Sequence, residues 1–363
     1  MKTGIARRRA WRALGAALAM TTVTALAACG GSSDTTSDTA SDTSVADEAP
    51  VIEGTSITVY SGRSETLVQP LIDEFTAATG VTVEVRYGDS GELAALLLTE
   101  GDASPADVYF GQDAGALGAI EDAGLFATLP ETTLSLVDPA FRSVNDGWVG
   151  TSGRARVIVY NPELVPTLPT SLDDLLNVQW KGKIGFAPTN ASWQSFVTAL
   201  RVTRGEDGAE AWLTGFAANE PVAYEKNGVV RDAVNTGEVA MGLINHYYLY
   251  EKISKEGANA VVAKNHYLRD GDAGSLVNVA GAGILATSAN PAGAQAFIDY
   301  MLSQGGQEYF ANTTFEYPLV AGVPTSVEIP ALSELNAPAI DLADLKSLEA
   351  TQELLVRVGL LTK

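Results

Sequence analysis

Two consecutive phenols, Tyr247 and Tyr248, follow the apolar run Val239 to Ile244 and the polar pair Asn245-His246. A phenolate oxygen is a hard, anionic donor and suits a hard, highly charged cation such as Fe³⁺. Binding has to pull the phenol pKa down from about 10, and a trivalent ion does so by withdrawing charge. Side chains alternate along a strand, so both phenols face one site only where the chain leaves the strand. A loop or helix start at Tyr247 meets that condition. The competing reading of the same pair is two core aromatics, or a stacking platform, at a strand end.

Three loops complement the phenols, because each follows a strand and opens a helix. They are Ser61-Gly62-Arg63-Ser64, Pro188-Thr189-Asn190-Ala191-Ser192-Trp193 and Lys226-Asn227-Gly228. Small polar residues at such positions cap helices. The free N–H groups of a helix start also attract anions, so two or three of these loops could converge on one anion. Arg63, Arg154 and Arg156 are candidates to neutralise it, with surface or inter-lobe pairing as their other role. His246 and His266 are the only histidines. In a strand-like stretch His246 points away from the phenols. Trp193 reads as helix packing, with a lid over the anion as its other role.

These residues need a scaffold that alternates strands and helices, and the hydrophobic spacing supplies one. Strands are expected at Ile57–Tyr60, Val81–Tyr87 and Ala106–Phe110, with helices at Thr66–Thr79, Gly91–Gly101 and Asp113–Gly124. That order implies βαβ units and a parallel sheet. The pattern then restarts. Strands are expected at Arg154–Tyr160, Ile184–Phe186 and Val239–Ile244, with helices at Ser192–Arg204, Gly208–Ala218 and Val229–Thr236. The apolar, Gly-rich stretch Gly274–Leu285 reads as a return into the first sheet, and Pro291–Leu302 and Asp341–Val358 as closing helices. Two α/β lobes with a cleft between them follow, with ligands at the carboxyl ends of the strands.

Composition sets limits. The chain has 363 residues, 46% hydrophobic, with 23 Lys+Arg against 44 Asp+Glu, a formal charge of -21. So acidic a surface disfavours nucleic acid and anionic membranes as partners. No Gly-x-Ser-x-Gly elbow, His-Glu-x-x-His or phosphate-loop motif is present, so an enzyme is not expected. Arg7, Arg8, Arg9 and Arg12 precede an apolar stretch that ends in Leu26-Ala27-Ala28-Cys29. This reads as a signal peptide over residues 1–28, with a lipobox that makes Cys29 the lipidation site. Cys29 is the only cysteine, which leaves no disulfide or thiolate site. Residues 29–55, rich in Ser, Thr, Asp and Ala, read as a disordered tether.

Five segments also carry a resemblance. Ile57 to Arg63, Pro105 to Tyr109, Gly153 to Asn161, Pro188 to Ser192 and Asn245-His246-Tyr247-Tyr248 occur in the order found in bacterial ferric-ion-binding proteins. The likeness runs from about Ser56 to Val323, and Asn-His-Tyr-Tyr is its most specific part. It implies a two-lobed, periplasmic-binding-protein-like type II α/β fold. The expected division is residues 56–153 plus about 278–328 for one lobe and 154–277 plus about 329–363 for the other.

The resemblance further implies Fe³⁺ on Tyr247 and Tyr248, with phosphate or carbonate as a synergistic anion. Asn190, Ala191, Ser192, Asn227 and Asn245 match the anion-binding residues, and Ser61, Gly62, Arg63, Gln112 and Arg154 are expected around the cleft. It implies delivery to the membrane permease of an ABC importer by an extracytoplasmic monomer held to the membrane only by its lipid. Many relatives supply a His from the first loop and a Glu after the third strand, where Ser64 and Gln112 stand here. Another subgroup supplies a Tyr near position 192, where this chain has Ser192-Trp193. The tyrosines are then the only strong protein ligands, with the anion, water, Gln112 or Asp113 left to complete the set. A phosphorylated or organic solute, such as a phosphonate, thiamine or a polyamine, is the other cargo this fold could take.

Overall fold

The computed structural model describes residues 55–362. The first strand, β1 (Ser56–Ser61), is followed by α1 (Glu65–Thr79), β2 (Thr82–Tyr87), α2 (Ser90–Glu100), β3 (Val108–Gly111) and α3 (Ala114–Asp122). β1 pairs in parallel with both β2 and β3, as the alternating pattern requires. The short α4 (Glu131–Leu134) leads to β4 (Val149–Tyr160), which starts five residues before the expected Arg154.

β4 joins the two halves. Residues 149–155 pair antiparallel with β9 (Val277–Ile284), and β9 pairs in turn with β3. Residues 156–160 pair instead with β7 (Met241–Asn245). The second half also holds β5 (Ile184–Phe186), α5 (Ala191–Ala218), β6 (Val222–Ala223), α6 (Asn227–Thr236), α7 (Tyr247–Glu256) and β8 (Lys264–His266). The strand order is β2-β1-β3-β9-β4-β7-β5-β6, so β4 and β9 lie at its centre. Gly274–Leu285 does return to the first sheet. α8 (Pro291–Leu302), α9 (Gln304–Tyr309) and the two-residue β10 (Tyr317–Pro318) follow, β10 pairing with residues 152–153 of β4 on the edge opposite β9.

Apolar periodicity accounts for the packing. Val59, Phe75, Phe110 and Phe297 are fully buried in one large core, and Val157, Val159, Val230 and Ile244 in a second. The two helices expected at 192–204 and 208–218 are the arms of α5, broken at Gly205, where φ is 72° and ψ 169°. That left-handed value is easy only for glycine.

The expected single helix over Asp341–Val358 is split. A 3-10 turn, Leu342–Lys346, lies against α3, and only then does α10 (Leu348–Arg357) begin, packed on α5. Tertiary fit imposes the break. Gly115 and Gly118 leave bare spots on α3 where the carbonyls of Leu345 and Ala343 come so close that a Cβ would stand 2.5 and 3.0 Å from them. Arg201 Nη1 then takes the Ser347 carbonyl and hydroxyl at 3.0 and 2.9 Å.

Candidate functional site

β7 ends at Asn245 and α7 begins at Tyr247, with His246 already helical at φ -59° and ψ -39°. The change from strand to helix replaces alternation with rotation, so consecutive phenols lie side by side. Their rings stack with centroids 4.3 Å apart and planes at 27°. Tyr247 is buried and Tyr248 half-buried. Burial, with Tyr248 beside it, holds the Tyr247 phenol well above its ordinary value, while Arg154 and Arg63 pull it down. His246 is no ligand. Its Nδ1 accepts from the Ala155 N–H at 3.2 Å and its Nε2 donates to the Phe315 carbonyl at 2.9 Å. Burial pushes its pKa down to about 4, so the neutral form is the one held.

Three buried guanidinium groups surround the phenols. Arg63 is 2% exposed and donates through Nη2 to both Glu316 oxygens at 2.9 Å. Burial alone would lower its pKa; Glu316 and the two phenols hold it above the ordinary value. Glu316 also accepts from Ser152 Oγ at 2.8 Å and Thr314 Oγ1 at 3.1 Å. Arg156 lies over the rings of Trp193 and Phe196 and donates to the Leu243 carbonyl at 2.9 Å. Burial pushes its pKa down to about 9.

Arg154 is the least satisfied of the three. Its Nη2 reaches the Val279 carbonyl at 3.3 Å, while Nε and Nη1 are buried without a partner among the described residues. Asn278 stands opposite it across the β4–β9 ladder, and its Nδ2 is likewise buried and unpartnered. Asp113, the N-cap of α3, is the nearby acid; burial raises its carboxyl pKa and Arg154 lowers it. Buried donors without acceptors are costly, and an oxyanion would satisfy them.

The loops chosen from the sequence do meet. Asn190 Oδ1 accepts from the Ser192 N–H at 3.0 Å, from Ser192 Oγ at 2.7 Å and from Asn227 Nδ2 at 3.1 Å. Asn227 Nδ2 also donates to Ser192 Oγ at 2.9 Å, and Arg156 Nη1 reaches the Ser192 carbonyl at 3.3 Å. Ala191 is the first residue of α5. Asn245, buried at the end of β7, faces Arg156 across the ladder but stands outside this hydrogen-bond cluster.

In the first loop, Ser61 Oγ accepts from the Arg63 N–H at 3.2 Å. Gly62 has to be glycine, because a Cβ would fall 2.0 Å from Ser90 Oγ. Gln112 is half-buried and Ser64 exposed. Both border a space of about 440 Å³ at the cleft mouth. Trp193 is fully buried, with Phe186 and Phe196 at 5.0 and 5.2 Å, so it packs rather than covers.

Among the described residues, no three His, Cys, Asp or Glu gather as a metal cage. Two contributors were not singled out from sequence. Asn278 is the lone polar residue of the apolar β9, a signal that could have found it; Glu316 follows an irregular turn and gives none. Cys29 and the basic leader lie outside the described residues.

The family model for bacterial extracellular solute-binding proteins matches residues 60–308. The Fe(3+)-binding periplasmic protein of Serratia marcescens is 38% identical over 308 residues, covering 84% of this chain and 90% of that one. This chain belongs to the bacterial extracellular solute-binding proteins, in their ferric-ion-binding family. Iron-bound HitA from Pseudomonas aeruginosa superposes on this solute-binding protein with a TM-score of 0.79 at 36% identity, over 84% of this chain and 99% of that one. The Trichodesmium protein solved with iron and citrate superposes at 0.73 and 32%, covering 84% and 100%. The solute-binding protein has their two-lobed type II fold, with the cleft between lobes, and its relatives are transport proteins rather than enzymes.

Proposed function

We propose that this chain carries Fe³⁺ on the phenolates of Tyr247 and Tyr248, with a synergistic anion, for delivery to the membrane permease of an ABC importer. The observation that carries the reading is the stacked phenol pair at the first turn of α7, ringed by Arg63, Arg154 and Arg156. Buried cations stabilise phenolate charge before the metal adds its own. The iron-binding names of the Serratia and Pseudomonas relatives support the same cargo.

The anion is phosphate or carbonate. Asn190, Ala191, Ser192, Asn227 and Asn245 form one wall of its site. The free Nε and Nη1 of Arg154 and Nδ2 of Asn278 offer donors to it. Lobes at 56–153 plus about 278–328 and 154–277 plus about 329–363 close on the loaded site, and closure is the signal the permease reads. The protein works as an extracytoplasmic monomer, anchored through a lipid on Cys29.

Phenolate-to-iron charge transfer gives the test. Protein titrated with Fe³⁺ in phosphate or bicarbonate turns reddish, and Tyr247→Phe with Tyr248→Phe removes both the colour and the binding. A colourless wild-type protein, or a double variant that binds iron unchanged, refutes the reading.

A further inference from the structure

The first turn of α7 is gripped from two sides. His246 is locked through its ring, and Asn265 Nδ2 of β8 donates to the His246 carbonyl at 2.8 Å. The second grip comes from α6, where Arg231 Nη1 donates to the Tyr248 carbonyl at 2.8 Å. A guanidinium donor makes this bond charge-assisted and about twice as strong as a neutral one. α7 has no side-chain cap of its own, so neighbouring elements supply the hold.

Arg231 is itself fixed. Its side chain is 13% exposed, and it donates to Asp232 through Nε at 3.0 Å and through Nη2 at 3.2 Å. Asp232 also pairs with Lys252 of α7 at 3.0 Å. Glu251, one turn beyond the phenols, stands 3.9 Å from Arg231 Nη1. Toward the other end, Arg231 follows Asn227 by four residues, so both lie on one face of α6. A Cβ on Gly228 would stand 3.6 Å from Arg231 Nη2, which places the guanidinium over the first turn of α6. One rigid side chain thus connects the turn that carries Asn227 to the turn that carries Tyr248.

Resting on the Fe³⁺ and anion reading above, we propose that Arg231 is a positioning residue that couples the anion to the Tyr248 phenolate. An anion held against Asn227 and the start of α6 fixes α6 in place. The guanidinium fork carries that restraint to the Tyr248 backbone, so the phenolate is set for the metal before the metal arrives. Order imposed by the anion then need not be imposed again by iron. Linkage makes the effect reciprocal, so iron on Tyr248 tightens the anion at Asn227 by the same factor.

Full-length protein is titrated with Fe³⁺ in competition with EDTA, in saturating phosphate and in phosphate-free, carbonate-depleted buffer. The ratio of the two affinities is the coupling factor. In Arg231→Met that ratio should fall at least about fivefold from wild type, while the phosphate-free affinity stays within about threefold. Asn265→Ala is the control, because it loosens the same turn from β8 without touching α6. Any loss there is shared by both affinities, and the ratio stays within about twofold of wild type. Arg231→Lys carries the test if the methionine variant does not fold. Lysine keeps the charge but lacks the fork that holds Asp232 and the Tyr248 carbonyl together, so the ratio falls in the same direction.

A wild-type ratio near one, a ratio unchanged in the Arg231 variants, or an equal drop in Asn265→Ala overturns the coupling; persisting charge-transfer colour then leaves the phenolate site standing. A wild-type protein that stays colourless with Fe³⁺ and phosphate overturns both.

Discussion

Replacing Glu316 by Leu in the iron-free protein strands a buried cation. Arg63 and Glu316 have side chains 1% and 0% exposed and lie 2.9 Å apart, so solvent screens almost nothing. Removing one partner of such a pair costs about 3–5 kcal/mol, chiefly the penalty of the charge left behind. Ser152 and Thr314 also lose their acceptor, at about 1 kcal/mol each, which puts the expected loss at the upper end of that range. Urea unfolding followed by tryptophan fluorescence measures it. The companion variant Arg63→Met/Glu316→Leu removes both charges, and its stability should return to within about 2 kcal/mol of wild type, because an apolar pair can replace a buried ion pair. A Glu316→Leu loss below about 1 kcal/mol, or a double variant no better than the single, would refute the argument that this pair is tightly buried and mutually dependent.

Two further perturbations follow from the same neighbourhood. His246 has a folded pKa of about 4 against an ordinary 6.5, so the unfolded chain takes up the proton first as pH falls. Stability is then full above about pH 6.5 and declines toward pH 4 by up to about 1.4 kcal/mol per pH unit, and denaturant titrations at pH 7 and 5 should show that slope flattened in His246→Gln. Gly62→Ala forces a Cβ into Ser90 and should cost about 1–3 kcal/mol by thermal unfolding; an unchanged melting temperature would mean that the loop yields freely.

Much of this could be read from sequence because it rests on local rules. The alternating strands and helices of residues 57–122 obey apolar spacing, and Asn190, Ser192 and Asn227 were found because capping residues and anion sites share a chemistry. The stacked phenols needed only the inference that the strand ends before Tyr247. The rest depends on partners distant in sequence. Asn278 matters because register sets it against Arg154. Glu316 matters because an irregular turn brings it 253 residues back to Arg63. The break at Ser347 cannot be read from its own helical pattern, since the bare faces of Gly115 and Gly118 impose it from another helix.

The C-terminal segment has a mechanical consequence. Leu342–Lys346 rides on α3, with Lys346 paired to Asp122, and α10 is fastened to α5 through Thr351–Thr198 at 2.7 Å and Arg357–Glu210 at 2.9 Å. α3 carries Asp113 at its head and α5 carries Asn190. The segment therefore acts as a brace spanning α3 and α5. Any rotation of one lobe against the other has to slide a backbone seated on two glycines or pull on Arg201's grip at Ser347, so the brace limits how far the jaws can open.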